Sequence, residues 1–173
     1  IQEVQKAGAI FDPSKLDWIN NHHLAALSFD DFKKRLIPFL DALSLDYTQK
    51  KNTNEIIAAM RSSKPNLLGV AQDLIPYFSE LNSYNEKAAN KFLIGSETIL
   101  EFVQRKLNSI EQWNETSIDN ALKEAQTALS LTTPKLNQPI RIAMTGSTQS
   151  PSLGLTLSLF SRDEVNNRIN AAL

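Results

Sequence analysis

The chain has 173 residues, 42% of them hydrophobic and 21% charged, which is the balance of an ordinary globular protein of one domain or two small ones and excludes a disordered chain or a bilayer-spanning segment. It contains no cysteine, so a disulfide framework, a thiolate zinc site and a cysteine nucleophile are all excluded, in keeping with a cytoplasmic setting. A formal net charge of −1 and a pI near 6.2 lack the basic excess of a non-specific nucleic-acid binder, and composition alone argues against one.

The first residue is Ile and no basic, apolar leader follows it, so the chain is expected to start inside a longer gene product. From there the dominant periodicity is helical. Phe32, Leu36, Phe39, Leu40 and Leu43 recur at three- and four-residue spacing behind a hydroxyl cap at Ser28 answered by Asp31. Leu67, Val70, Ala71, Leu74, Ile75 and Phe78 repeat the pattern, as do Ile99, Val103, Leu107 and Ile110. Thr116 with Asp119 marks the start of a stripe through Ile118, Leu122, Ala125 and Leu129, and Ser161 with Glu164 that of one through Val165, Ile169 and Ala172. Breakers separate the stripes at Asp12-Pro13, Lys64-Pro65-Asn66, Asn82 to Asn85, Gly95-Ser96, Thr133-Pro134 and Gly146 to Pro151. Pro38 and Pro76 fall inside stripes, where each should end or kink its helix.

Leu153, Leu155, Leu157 and Leu159 alternate with small and polar residues, a strand pattern, yet Leu153, Leu157 and Phe160 also share a helix face. Ser150 and Pro151 form a cap and first-turn proline, and no second strand offers to pair; helix is preferred. The fold class expected is all-α: eight to ten short helices in two small subdomains, 1–78 and 79–173, with no sheet.

Catalytic chemistry finds little to stand on. His22 and His23 are neighbours and point about 100° apart on a helix, so they cannot chelate one metal as an i, i+4 pair would. Asp30-Asp31 belongs to a helix start, where carboxylates complement the dipole. The five glycines form neither G-x-G-x-x-G nor a Walker loop, and Gly146-Ser147-Thr148 reads as a helix stop rather than an anion cradle. Binding remains. Trp18 and Trp113 could stack on splayed bases, although aromatic residues at helical spacing are more often core. The segment from Arg141 to Leu153 sets one guanidinium beside a polar loop and leucines, the mixture of edge donors and apolar faces that single-stranded RNA requires. Residues 135–173 are also the one stretch with a basic excess, four Lys and Arg against two Asp and Glu.

Two stretches go further. Phe11-Asp12-Pro13-Ser14-Lys15-Leu16-Asp17-Trp18-Ile19-Asn20 resembles the Lys-Leu-x-Trp-x-Asn sequence that follows the catalytic region of bacterial glutamyl-tRNA synthetases. Pro139-Ile140-Arg141-Ile142-Ala143-Met144-Thr145-Gly146, with Ser150-Pro151 after it, is similar to that family's Pro-x-Arg-x-Ala-x-Thr-Gly and following proline, and Glu164-Val165 with Arg168-Ile169 echo its last helix. Both motifs stand in order at the family's separation, so the resemblance covers nearly the whole chain.

The resemblance implies a helical anticodon-binding region of a class I aminoacyl-tRNA synthetase, cut away from its catalytic half. On that basis Arg141 contacts anticodon bases from a helix started by Pro139, and a Gly-containing turn presents Ser150, Pro151 and Leu153 beside it. The partner implied is tRNA-Glu, with no DNA, no membrane and a monomeric protein. ATP with magnesium would belong to the absent catalytic part, whose His-x-Gly-His and Lys-Met-Ser-Lys-Ser motifs are missing here; this fragment would hold no cofactor and no metal, and would be inactive alone.

Three positions depart from the family. Gly154 stands where an aromatic is common and removes a stacking surface, while His23 replaces a common tyrosine and is expected to keep a packing role. An ungapped match sets Ser63 where discriminating members carry the arginine that reads the third anticodon base, with Arg61 two residues earlier. Ser63 lacks a fork of donors, so tRNA-Gln is a candidate second substrate unless Arg61 takes that place. The alternative to RNA binding is a helical protein-interaction scaffold, which would suit the acidic middle of the chain.

Overall fold

A computed structural model describes residues 12–173. Of the first motif, Phe11 lies outside the described residues. Ten helices, and no strand, occur among those described: α1 (Pro13–Ala26), α2 (Phe29–Ala42), α3 (Thr53–Met60), α4 (Leu67–Phe78), α5 (Glu86–Phe92), α6 (Glu97–Asn108), α7 (Glu115–Ala128), α8 (Thr133–Thr145), α9 (Leu153–Ser158) and α10 (Arg162–Ala172). None of the described helices is long and apolar enough to cross a membrane.

Side-chain caps start most of these helices. Asp12 accepts from the amides of Ser14 and Lys15 ahead of Pro13, and Ser28 accepts from Asp31. Asn66, Asn85 and Ser152 do the same for α4, α5 and α9, while Ser161 and Glu164 close a reciprocal capping box. Each such bond satisfies an amide that the first turn leaves free. The α7 cap differs from expectation. Asn114, not Thr116, caps that helix, accepting from Ser117 N at 2.9 Å; the asparagine lies two residues upstream, outside the hydroxyl pattern that pointed to Thr116.

Stripes read from the sequence become the packing faces. Phe32, Leu36 and Leu40 on α2, Val70, Ala71, Leu74 and Phe78 on α4, and Val103 and Leu107 on α6 are buried. Ile75 is left 38% exposed, because α4 turns Tyr77 inward in its stead. The first four helices meet through α2 against α4 and α3 against α4; α5, α6, α9 and α10 pack against α8, which also touches α4, and α7 packs on α6 and α9. One cluster of buried side chains runs through both groups, from Phe32 to Ile169.

Neither Pro38 nor Pro76 ends its helix, and Pro139 does not begin one. Pro38 and Pro76 sit within α2 and α4, which continue past them to Ala42 and Phe78. Pro139 does not start a helix: α8 begins at Thr133 with Pro134 in its first turn, and Pro139 is buried inside it. The amide Pro139 lacks would have served the carbonyl of Lys135, an exposed first-turn residue where water can take over the bond. Gly146 ends α8 in the left-handed region at φ 70°, its amide bonded to Ile142 O at 2.8 Å, so the predicted helix stop is what the segment does. Leu153–Ser158 is helical, not a strand. Leu153, Gly154, Thr156, Leu157 and Leu159 are all buried, and a short helix enclosed on most sides has no polar face to reveal its period.

Arginines tie the helix ends together. Arg61 donates to the carbonyls of Leu24, Ala25 and Leu27 at the end of α1, at 2.9, 3.2 and 2.5 Å. Arg168 donates to Pro76 O and Ser79 O at 2.5 and 3.1 Å and also to Met144 O, so one guanidinium joins the C-terminal ends of α4 and α8. Arg162 reaches Asn108 O and Ile110 O beyond α6. A cation at the negative end of a helix dipole, with a planar fork of donors, satisfies several orphan carbonyls at once.

Candidate nucleic-acid interface

Two segments far apart in sequence meet beside α4. The turn after α3, carrying Ser62, Ser63 and Lys64, and the loop after α8, carrying Gln149, Ser150 and Pro151, line a common cleft of about 290 Å3. A smaller depression of about 90 Å3 lies alongside and takes in Gln72, Tyr77, Thr145 and Ser147. Met60, Asp73, Gln149 and Ser150 line both, so the two form one continuous hollow. Its charged groups are Lys64 and Asp73, 3.7 Å apart, and their opposite signs leave it close to neutral.

Arg141 organises the loop wall. Its guanidinium donates to Ser150 O at 2.9 Å, to Pro151 O at 2.7 Å and to the Ser150 hydroxyl, which in turn lies 2.9 Å from Thr156 Oγ1. Thr156 is fully buried. Arg141 Nε is buried without a partner, and burial pulls the guanidinium's pKa below its ordinary value, opposed by the nearby Tyr77. Even so displaced, an arginine stays charged at neutral pH. The loop is thus fixed from beneath through one guanidinium nitrogen, Nη1, bonded to two main-chain carbonyls and the Ser150 hydroxyl.

Of the six residues picked out from the sequence, Arg141, Ser150 and Pro151 come together, and Ser63 faces them across the cleft. Arg61 does not join them: its guanidinium is committed to the end of α1 and stacks 5.2 Å from the Phe32 ring centroid. Leu153 is not presented by the turn but buried at 4% exposure, because the helix it opens packs against α7 and α8. Ser63 has its hydroxyl buried with no partner. Gly154 serves packing: a methyl group there would stand 2.1 Å from Asp119 Oδ1. His23 is exposed in the last turn of α1 rather than packed, and Trp113 is tied into the fold by donating to Phe160 O at 2.8 Å.

Sequence reasoning passed over Tyr77, Asp73 and Gln149. Tyr77 sits three residues after Leu74, on the stripe, where an aromatic residue reads as core. Gln149 lay within the predicted loop, and Asp73 carries no periodic signal.

Residues 31–173 match the family model described as "Anticodon binding domain". The chain belongs to the anticodon-binding domain family. Among relatives, a glutamate-tRNA ligase of Myxococcus xanthus is 33% identical over 173 residues, covering 99% of this chain and 36% of the relative. Glutamate-tRNA ligase 1 of Coxiella burnetii is 33% identical over 176 residues, covering the whole of this chain and 37% of its own. The fold recurs in the crystal structure of a glutamate tRNA ligase from Elizabethkingia meningosepticum in complex with its amino acid, with a TM-score of 0.82 at 21% identity over 98% of this chain and 34% of that one. This anticodon-binding domain therefore spans about a third of the length of the relatives it matches. Its α1 precedes the matched span, whereas the cleft lies wholly inside it.

Proposed function

We propose that the chain is the anticodon-reading part of a glutamate-tRNA ligase and that the cleft between Ser63 and Ser150 receives bases of the tRNA-Glu anticodon. The whole protein would attach glutamate to tRNA-Glu with ATP and magnesium, both held by the portion outside these 173 residues. The observation that carries the reading is the meeting of the 62–64 turn and the 149–151 loop in one hollow, close to neutral in charge and lined by apolar as well as hydroxyl and amide side chains, inside the anticodon-binding span. A neutral hollow with hydroxyl and amide side chains suits base edges, which are read by donors and acceptors, better than phosphates, which are held by cations. The prediction concerns Arg141, which fixes the loop wall: Arg141→Ala should weaken binding of tRNA-Glu by about 1–3 kcal/mol and leave a tRNA of altered anticodon bound as before. Equal affinity of the variant and the parent chain for tRNA-Glu would remove Arg141 from the reading.

Relaxed choice between tRNA-Glu and tRNA-Gln follows from the same wall. Arg61 is occupied at the end of α1, and Ser63, whose own hydroxyl is buried, brings no fork of donors to the cleft. No guanidinium fork then stands on that side to reject a third base. Comparable affinities for the two tRNAs support this; at least a tenfold preference for tRNA-Glu contradicts it.

A further inference from the structure

A single cation borders the hollow. Among the described residues that line the cleft and the depression, Lys64 is the only lysine or arginine, and it lines the wider cleft alone, whereas Asp73 lines both. Their separation of 3.7 Å is within ionic reach but longer than a hydrogen bond, so Asp73 leaves the donors of the ammonium unspent. With the two side chains 36% and 31% exposed, such a pair contributes little to stability. The fold does not need Lys64 for its own sake.

The chain nevertheless holds it in place. Pro65 follows Lys64 and biases its backbone toward an extended conformation. The lysine stem then lies against the first turn of α4 at Gly69, where a methyl group would stand 2.8 Å from Lys64 Cβ and 2.9 Å from Cγ. Glycine is a poor helix former, but here it makes room for the stem. Held by Gly69 near the backbone and by Asp73 at the charged end, the side chain has lost much of its freedom before any ligand arrives, which lowers the entropy cost of binding one. A base that enters the cleft brings its own phosphate. Hydroxyl, amide and apolar side chains suit the base, whereas the phosphate needs a cation, and of the groups lining the hollow only Lys64 is one.

We propose that Lys64 takes a phosphate of the RNA backbone beside the cleft, exchanging Asp73 for it. In the free protein Asp73 keeps the ammonium in position; on binding it yields the ammonium to the phosphate. The proposal rests on the anticodon-reading function and adds to it a contact that supplies affinity and register without preferring any base. Lys64→Met keeps an apolar stem over Gly69 and removes the charge, so the melting temperature should stay close to that of the parent.

The test titrates the full 173-residue chain, as parent, Lys64→Met, Lys64→Arg and Asp73→Asn, with a tRNA-Glu transcript and with transcripts changed at one anticodon position at a time, at salt concentrations from about 50 to 200 mM. Lys64→Met should weaken every transcript by the same factor, about fivefold near 0.1 M salt. The plot of log affinity against log salt should become shallower by about 0.7, the share of one single-strand phosphate. Lys64→Arg should restore the slope, and Asp73→Asn, which removes the competitor for the ammonium, should tighten binding. An unchanged salt slope in Lys64→Met overturns the proposal. So does a loss confined to one anticodon position, which would make Lys64 a reader of bases, or weaker binding by Asp73→Asn. A parent chain indifferent to every anticodon change would instead refute the function on which the proposal is built.

Discussion

Helices α1 and α8 are nearly the same length, 14 and 13 residues, and they stand at opposite extremes of burial. None of the α1 residues is buried, and Leu16, Trp18 and Ile19 lie 38–68% exposed. On α8, Leu136, Pro139, Ile140, Ile142, Ala143, Met144 and Thr145 are all buried. One helix hangs on the fold by Leu24, Leu27 and the grip of Arg61 on its last carbonyls; the other is the axle around which α5, α6, α9 and α10 are packed. The difference teaches where precision is available. A side chain that must hold a loop in place needs a rigid base, and Arg141 sits on α8.

The contrast can be broken or sharpened by substitution. Ile140→Ala opens a cavity in the fully buried part of α8 and should remove about 3–4 kcal/mol of stability, read by urea denaturation. Arg168→Met withdraws the donors from Pro76, Ser79 and Met144; a loss of about 2–3 kcal/mol is expected in the same measurement, since charge-assisted bonds to part-buried carbonyls are broken. If it proves neutral, the joint between α4 and α8 does not depend on the clamp.

Glu164 adds a smaller, pH-dependent contribution. Burial alone would raise its pKa, but the Lys50 ammonium at 2.6 Å and the Ser161 amide and hydroxyl together pull it below the ordinary glutamate value. A carboxylate depressed in the folded state binds its proton more readily when unfolded. Its stabilising effect is therefore full above the unfolded pKa and fades as pH falls through the lowered folded one. Partial exposure, 39% for the side chain, keeps the effect small. Glu164→Gln should lower stability slightly at pH 7 and flatten its decline in acid; an unchanged acid slope would count against the pairing. The smallest effect belongs to α1, where Trp18→Ala should shift global stability by no more than about 0.5 kcal/mol. A larger cost would erase the distinction between the two helices.

Much of this architecture was legible beforehand, for reasons that can be located. Helices with one wet face, α2, α4, α6 and α7, declare themselves by period, and Ser28 and Ser161 by cap chemistry. The segments enclosed by others do not. In α9 burial reaches Gly154 and Thr156 as well as the leucines, so alternation imitates a strand, and Pro139 gives no local sign that α8 began six residues earlier. The site divides in the same way. Arg141, Ser150 and Pro151 are close in sequence and meet in space, whereas the pairing of Ser63 with Gln149 depends on how α3 and α8 are set against α4. Tyr77 was hidden because an aromatic residue on a helical stripe reads as core whether or not it also borders a hollow. Arg61 and Arg141, equivalent as letters, differ in what they hold: the end of a helix in one case and the wall of the cleft in the other.

The central claim is that binding is directed by the anticodon through the hollow between the 62–64 turn and the 149–151 loop. The most direct test is an anticodon exchange: tRNA-Glu carrying a foreign anticodon, and an unrelated tRNA carrying that of tRNA-Glu, each titrated against the chain at one fixed salt concentration. Affinity that follows the anticodon, with the exchanged tRNA-Glu weakened at least tenfold and the recipient strengthened, is the outcome predicted. Affinity that stays with the tRNA body whatever anticodon it carries would contradict the account.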